Sequence, residues 1–167
     1  MAETVLNRPR LTEPQRFGLR FFSLLVLASV LAWVVSLPDR LGLVQRFLAG
    51  GGTLIANLTG GSGRVIGDQI NVGSLALDIN YECTGVYVVL ILFVFLFAYP
   101  ASWGSRLLGA TIGVVALTII NLLRIAFLVR VAEVAPDLFA YFHEYVWQGV
   151  FLVLVIAYAM SWVERVR

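Results

Sequence analysis

Lysine is absent from this chain of 167 residues, and cysteine and histidine occur once each, as Cys83 and His143. A single cysteine excludes an intramolecular disulfide and any metal cluster built on several thiolates. A single histidine excludes a bis-histidine haem site within one chain. The residue types therefore predict no metal and no cofactor. Charge is scarce too: charged side chains make up 13% of the chain and apolar ones 60%, where soluble domains are about a quarter charged. The net charge of +2 is too small to predict a nucleic-acid surface. No internal repeat or low-complexity linker is present, so the chain reads as one domain, 1–167.

What is there is a set of uncharged runs, from Phe21 to Leu37, Cys83 to Ser105, Leu107 to Leu123 and Tyr145 to Val163. A bilayer takes roughly 20 apolar residues per helical crossing. The runs predict an all-α integral membrane bundle of four spans, about 18–37, 84–99, 103–131 and 143–162. A fifth is open within 39–60. The first run is longer than a signal-peptide core and lacks a cleavage site, so it reads as an anchor.

All twelve basic residues are arginine. Arg8, Arg10, Arg16 and Arg20 precede the first run, Arg106 lies between the second and third, and Arg165 and Arg167 follow the last. The positive-inside rule then predicts cytoplasmic termini, including a loose tail over 1–16. Trp103 and Trp162 fall at predicted inner ends, and Trp33 and Trp147 near outer ends, as interfacial belts favour.

The outer segment 39–82 reads in pieces. Leu41, Val44, Phe47 and Leu48 recur at helical spacing and predict a short interfacial helix over 41–49. Gly50-Gly51-Gly52 and Gly60-Gly61-Ser62-Gly63 read as breaks, with Thr53 to Leu58 as a short, re-entrant-length apolar piece. From Leu75 the pattern alternates: Leu75, Leu77, Ile79 and Tyr81 share one face, and Ala76, Asp78 and Asn80 the other. That predicts a half-buried strand, with 65–72 pairing to it through a turn near 71–73. An aromatic outer loop is expected over Pro136 to Phe142. The sequon Asn57-Leu58-Thr59 reads as chance.

Three chemistry-bearing side chains fall at one depth. Cys83 is at the outer end of span two and His143 at the outer start of span four. Arg124 lies 17 residues beyond Leu107, roughly 25 Å along span three. Each has a bland reading. A lone buried cysteine is usually a small inert hydrophobe, an interfacial histidine is usually a polar surface group, and an arginine near a span end snorkels. Against these, a thiol at a helix start beside a cation has a lowered pKa. An intramembrane arginine normally faces the bundle interior and marks function. Asn121, one turn before Arg124, is placed to brace it.

Together the three residues provide a nucleophile, a proton carrier and a fixed positive charge, the set needed for acyl transfer through a thioester. Glu82, Asp78 and Glu144 are nearby acids able to tune His143 or pair with Arg124 or Arg130. Two alternatives remain open on residues alone. One is a non-enzymatic membrane assembly factor or chaperone for protein or polysaccharide export. The other is a small transporter subunit, with Arg124 on an anion path.

Glu82-Cys83-Thr84-Gly85-Val86 resembles the Cys-Ser/Thr-Gly motif of the exosortases and archaeosortases. Asn121-Leu122-Leu123-Arg124-Ile125 resembles their Asn-x-x-Arg-Ile motif, and Phe142-His143 their histidine at the head of a following helix. The resemblance covers a catalytic core of about 65–160, on a chain shorter than the larger members and reminiscent of the compact exosortase H type. It implies a membrane cysteine peptidase or transpeptidase of the bacterial or archaeal cytoplasmic membrane, active on the extracytoplasmic side. Its implied partners are secreted proteins ending in a PEP-CTERM-like signal, made of a short motif, a transmembrane helix and a basic tail. Cys83, Arg124 and His143 take the catalytic roles, and Glu82, Thr84, Gly85 and Asn121 supporting ones. The oligomeric state is not implied. The strand over 75–81 is expected to pair with an extended substrate segment.

Overall fold

A computed structural model describes residues 12–35 and 37–166. The predicted tail lies outside the described residues up to residue 11. Its remainder is not loose. Thr12 caps a helix, its backbone N–H donating to Gln15 Oε1 at 2.9 Å, and Pro14 sits in the first turn where no N–H is needed. Helix α1 then runs Glu13–Val34.

The other helices are α2 (Gly42–Leu58), α3 (Val86–Ala98) and α4 (Trp103–Val134). A last helix, α5 (Pro136–Val166), completes the chain. Helices α1, α4 and α5 are long and apolar enough to cross a membrane; the protein is a multi-pass membrane protein. Helix α3 has 13 residues, a rise of roughly 20 Å, so it is shorter than the span expected over 84–99. The reason is local: Gly85 adopts φ +70°, which ends the preceding turn and delays the helix to Val86.

Helix α1 runs antiparallel to α3, and α4 to α5. Phe17 of α1 packs edge-on against Phe95 and Tyr99 near the end of α3. The Trp162 indole of α5 donates to the Ser105 carbonyl at the start of α4, at 3.1 Å. A Cβ on Gly109 would overlap this indole, so the small residue lets the two helices close. Trp162 is thus buried helix packing, whereas Trp33 and Trp103 are exposed.

Helix α2 departs most from expectation. Gly50-Gly51-Gly52 does not break it; the helix continues to Leu58 and absorbs both the predicted 41–49 helix and the 53–58 piece. A Cβ on Gly51 would overlap Leu122, and one on Gly52 would overlap Ile125. The glycines therefore form a close-approach face against α4, where packing outweighs their low helix propensity. Asn57 ends this region by bonding the Gly63 backbone N–H and carbonyl, both at 3.0 Å.

A three-stranded antiparallel sheet follows, β1 (Arg64–Ile66), β2 (Gln69–Val72) and β3 (Leu75–Asp78), in the order β1-β2-β3. Strand β3 alternates as predicted but ends at Asp78, with Tyr81 exposed in the 3₁₀ turn that follows, and 65–72 is itself a hairpin. Two-residue loops open on Gly67 (φ +69°) and Gly73 (φ +59°), where only glycine turns tightly at no steric cost. The expected loop over Pro136 to Phe142 is also helical, a 3₁₀ turn followed by an α turn.

Two hydrophobic cores result. One lies within the spans around Leu92, Leu96, Leu117 and Phe151. The other joins α2, the sheet and the end of α4 around Leu48, Ile70, Val72 and Val129, and it includes Cys83.

Candidate active site

The site forms where the two cores meet. Asn80 to Gly85 links β3 to α3 through a 3₁₀ turn, Tyr81–Thr84. The Cys83 N–H donates to Asn80 Oδ1 at 3.1 Å. Thr84 Oγ1 donates to the Tyr81 carbonyl at 2.6 Å and accepts from the Val86 N–H at 3.3 Å. These bonds close the turn on itself, and Gly85 supplies the left-handed residue that releases it into α3. Asn121 does not brace Arg124. Its Nδ2 donates to the Cys83 carbonyl at 2.8 Å, fixing the cysteine to α4 because a buried carbonyl demands a donor.

His143 enters from α5, within a π-turn over Phe142–Val146, a local widening frequent at functional positions. Its ring stacks on Phe139 at 5.6 Å between centroids and 12° between planes. Its Nε2 lies 3.6 Å from Cys83 Sγ, within reach of a thiol proton. Arg124 is buried on α4, with Cζ 5.7 Å from the centre of the Phe151 ring. Among the described residues it makes no ion pair, and its Nε has no hydrogen-bond partner. Arg130 instead pairs with Glu133 and bonds the Gly60 carbonyl.

Burial pushes the Cys83 thiol above its ordinary pKa. The Arg124 charge and the bond to Asn80 pull it down less strongly, and Glu82 raises it further. A thiol at a helix start beside a cation predicts the opposite sign. The thiol sits instead in a closed turn ahead of α3, where desolvation of the thiolate outweighs the nearby cation. A thiol made less acidic by burial, beside an imidazole, can pass its proton to the ring as it attacks.

Two cavities flank the pair, and Arg124 and His143 line both. The larger, about 290 Å³, opens between α3 and α5 and is walled by Glu82, Val88, Trp147, Gln148 and Leu152 among others. The smaller, about 160 Å³, lies on the sheet side and reaches Cys83. Of the expected acids, Glu82 is exposed at the larger cavity, accepting from the Tyr81 hydroxyl at 3.3 Å. Asp78 borders the smaller. Neither Glu82, Asp78 nor Glu144 forms an ion pair among the described residues.

The sequence reading passed over Asn80, although an Asx residue three positions before Cys83 is a turn-capping signal. It also placed Trp147 in an interfacial belt. Trp147 is half-buried, lines the larger cavity one turn after His143, and its Nε1 has no hydrogen-bond partner.

A family model described as transmembrane exosortase matches residues 11–162. No curated protein and no solved structure matches the chain.

Proposed function

The chain belongs to the transmembrane exosortase family, and on that premise we propose that it is a membrane-embedded cysteine peptidase or transpeptidase. Its substrates are secreted proteins with a C-terminal, PEP-CTERM-like sorting signal. What supports the reading above all is one observation: Cys83 Sγ lies 3.6 Å from His143 Nε2, beside a buried arginine that lines the same two cavities.

The chemistry follows. Cys83 Sγ attacks the scissile carbonyl carbon as its proton passes to His143 Nε2. The oxygen becomes an oxyanion, and Arg124, always charged, stabilises it or the developing thiolate. The carbon–nitrogen bond breaks, His143 returns the proton to the leaving amine, and a thioester remains on Cys83. Water or an acceptor amine then attacks the thioester and frees the thiol. Among the described residues the buried arginine has no counter-ion, so it favours negative charge arising in the site. Asn80, Thr84, Gly85 and Asn121 are positioning residues that hold the Cys83 backbone.

The arginines Arg16, Arg20, Arg106 and Arg165 lie at the end of the bundle away from the sheet. With Arg8, Arg10 and Arg167 counted from the sequence, that end carries more arginines than the sheet end, which has Arg40, Arg46, Arg64 and Arg130. By the positive-inside rule we read it, with both termini, as cytoplasmic and Cys83 as lying at the outer face. A substrate anchored by one helix presents its cleavage site at that depth, and confinement to the membrane raises its effective concentration. Residues 65–160 form the catalytic core of a single membrane domain, 1–167, to which α2 adds a wall.

Co-expression with candidate membrane-tailed secreted proteins tests this. The unaltered chain shortens and releases its substrate; Cys83→Ala, Arg124→Ala and His143→Ala do not. Processing that survives Cys83→Ala would sink the assignment. Cys83→Ser that leaves export intact would return an assembly-factor role.

A further inference from the structure

Strand β3 is the last strand of its sheet. Its register pairs Val72 with Leu75 and Ile70 with Leu77, and the Ile79 N–H continues the series to the Asp68 carbonyl at 3.1 Å. In an antiparallel ladder alternate residues face the partner. Leu75, Leu77 and Ile79 therefore turn their backbone groups to β2, and Ala76 and Asp78 turn theirs outward. Among the described residues those outward groups bond no side chain and no backbone beyond the strand. The smaller cavity, about 160 Å³, opens along this edge and is walled by Leu77, Ile125, Leu128, Val129 and Phe139, with Cys83 and His143 at one side. An apolar cavity of about 150 Å³ is large enough to hold benzene.

We propose that the outer edge of β3 docks an extended segment of the protein substrate as an added strand, seating one branched aliphatic side chain in the cavity beside Cys83. This rests on the cysteine acyl-transfer reading above. The edge supplies donors and acceptors at Ala76 and Asp78 that any extended peptide matches, and the cavity supplies side-chain selectivity, the usual division of labour in strand addition. The two cavities assign the sides of the scissile bond. The larger lies between the spans α3 and α5, so it takes the membrane-anchored leaving part. The smaller faces the sheet, so it takes the acyl part, whose last side chain fills it.

The test uses the full chain in detergent and Ala-Ala-Xaa chloromethyl ketones, with Gly, Leu or Trp as the last residue. Each alkylates the thiol, forming an S–C bond, releasing chloride and passing the proton to His143. Burial of one aliphatic side chain predicts labelling of Cys83 roughly tenfold faster by the Leu compound than by the Gly compound. The Trp compound is slow. Ala76→Pro deletes one outward N–H and leaves the β2 ladder intact; it slows the Leu compound about fivefold and leaves iodoacetamide labelling unchanged. Leu128→Phe fills the cavity and erases the Leu preference, while Leu128→Met keeps it.

Labelling indifferent to the side chain and to both variants, with iodoacetamide still reacting, overturns the proposal. So does an Ala76→Pro chain that loses a dimer yet labels normally, since the edge would then bind a second copy. If substrate processing requires Cys83 but these rates do not change, the edge proposal falls and the peptidase stands. If Cys83→Ala still processes, both fall.

Discussion

The two cores of this protein are built from different materials. The core within the spans is rich in aromatic packing, with Phe151 and Trp162 buried and Phe93, Phe95, Tyr99, Trp147 and Tyr158 around them. The core at the sheet end has no aromatic residue among its buried members; it is Leu48, Ala49, Ala56, Ile70, Val72, Ile79, Ile125, Ala126 and Val129, with Cys83 among them. Lipid is as apolar as a leucine side chain, so helices within a bilayer associate through close packing and not through the hydrophobic effect. Small residues such as Gly109 and Gly113, set against Trp162 and Tyr158, meet that need. The sheet-end core buries small aliphatic side chains against strands, as a water-soluble domain does. Cys83 belongs to the sheet-end core and Phe151, under Arg124, to the other. The site lies on the seam, where burial raises the thiol pKa and two cavities open beside it.

The largest effects should come from substitutions on that seam. His143→Ala removes the proposed proton carrier and is expected to slow processing by about 10²- to 10⁴-fold, measured as substrate release in cells expressing equal amounts of enzyme. A loss under about tenfold would mean that another base serves Cys83. Arg124→Ala should cost about 10²- to 10³-fold and carries a second signature. The arginine holds the Cys83 thiol pKa down against burial, so its removal raises that pKa further. The alkaline limb of iodoacetamide alkylation should therefore move to higher pH in Arg124→Ala. An unmoved or lowered limb would separate the guanidinium from the sulfur.

Glycines sharpen the contrast between the cores. A Cβ on Gly52 would push on Ile125, beside Arg124, whereas one on Gly113 would push on Leu92 and Tyr158 within the spans. Each overpacking should cost about 1–3 kcal/mol of stability, read by thermal unfolding in detergent. Gly52→Ala should also reduce Cys83 alkylation, and Gly113→Ala should leave it near the unaltered rate. Equal effects on alkylation would mean that the two cores move as one. The smallest change is expected for Asn121→Ala, which leaves the Cys83 carbonyl without its donor and costs about 1 kcal/mol. Its processing loss should be partly rescued by Asn121→Gln or Asn121→Ser, which retain a polar group.

Much of this was legible because the chain is poor in reactive residues. With one thiol, one imidazole and one intramembrane guanidinium, counting helical rise along three apolar runs was enough to set them at one depth. The alternation from Leu75 gave β3 for the same reason, since a period of two has few other readings. Gly50-Gly51-Gly52 misled because glycine weakens helices in water, and nothing local reports the Leu122 and Ile125 side chains that need the space. Helix α3 was overestimated because the apolar run passes through Gly85, and a backbone angle leaves no trace in hydropathy. Asn121 was assigned to the wrong partner: spacing along α4 shows what lies one turn away, not what another segment brings. The sign of the Cys83 shift failed likewise, because it depends on burial by α2 and α4, far from Cys83 in sequence.

The most direct measurement is mass spectrometry of the full chain after brief incubation with a processed, membrane-tailed substrate. A thioester carried by the peptide containing Cys83, lost on mild hydroxylamine treatment and absent in Cys83→Ala, is the predicted result. Substrate cleavage with no acyl group on that peptide, or with undiminished rate in Cys83→Ala, would contradict it.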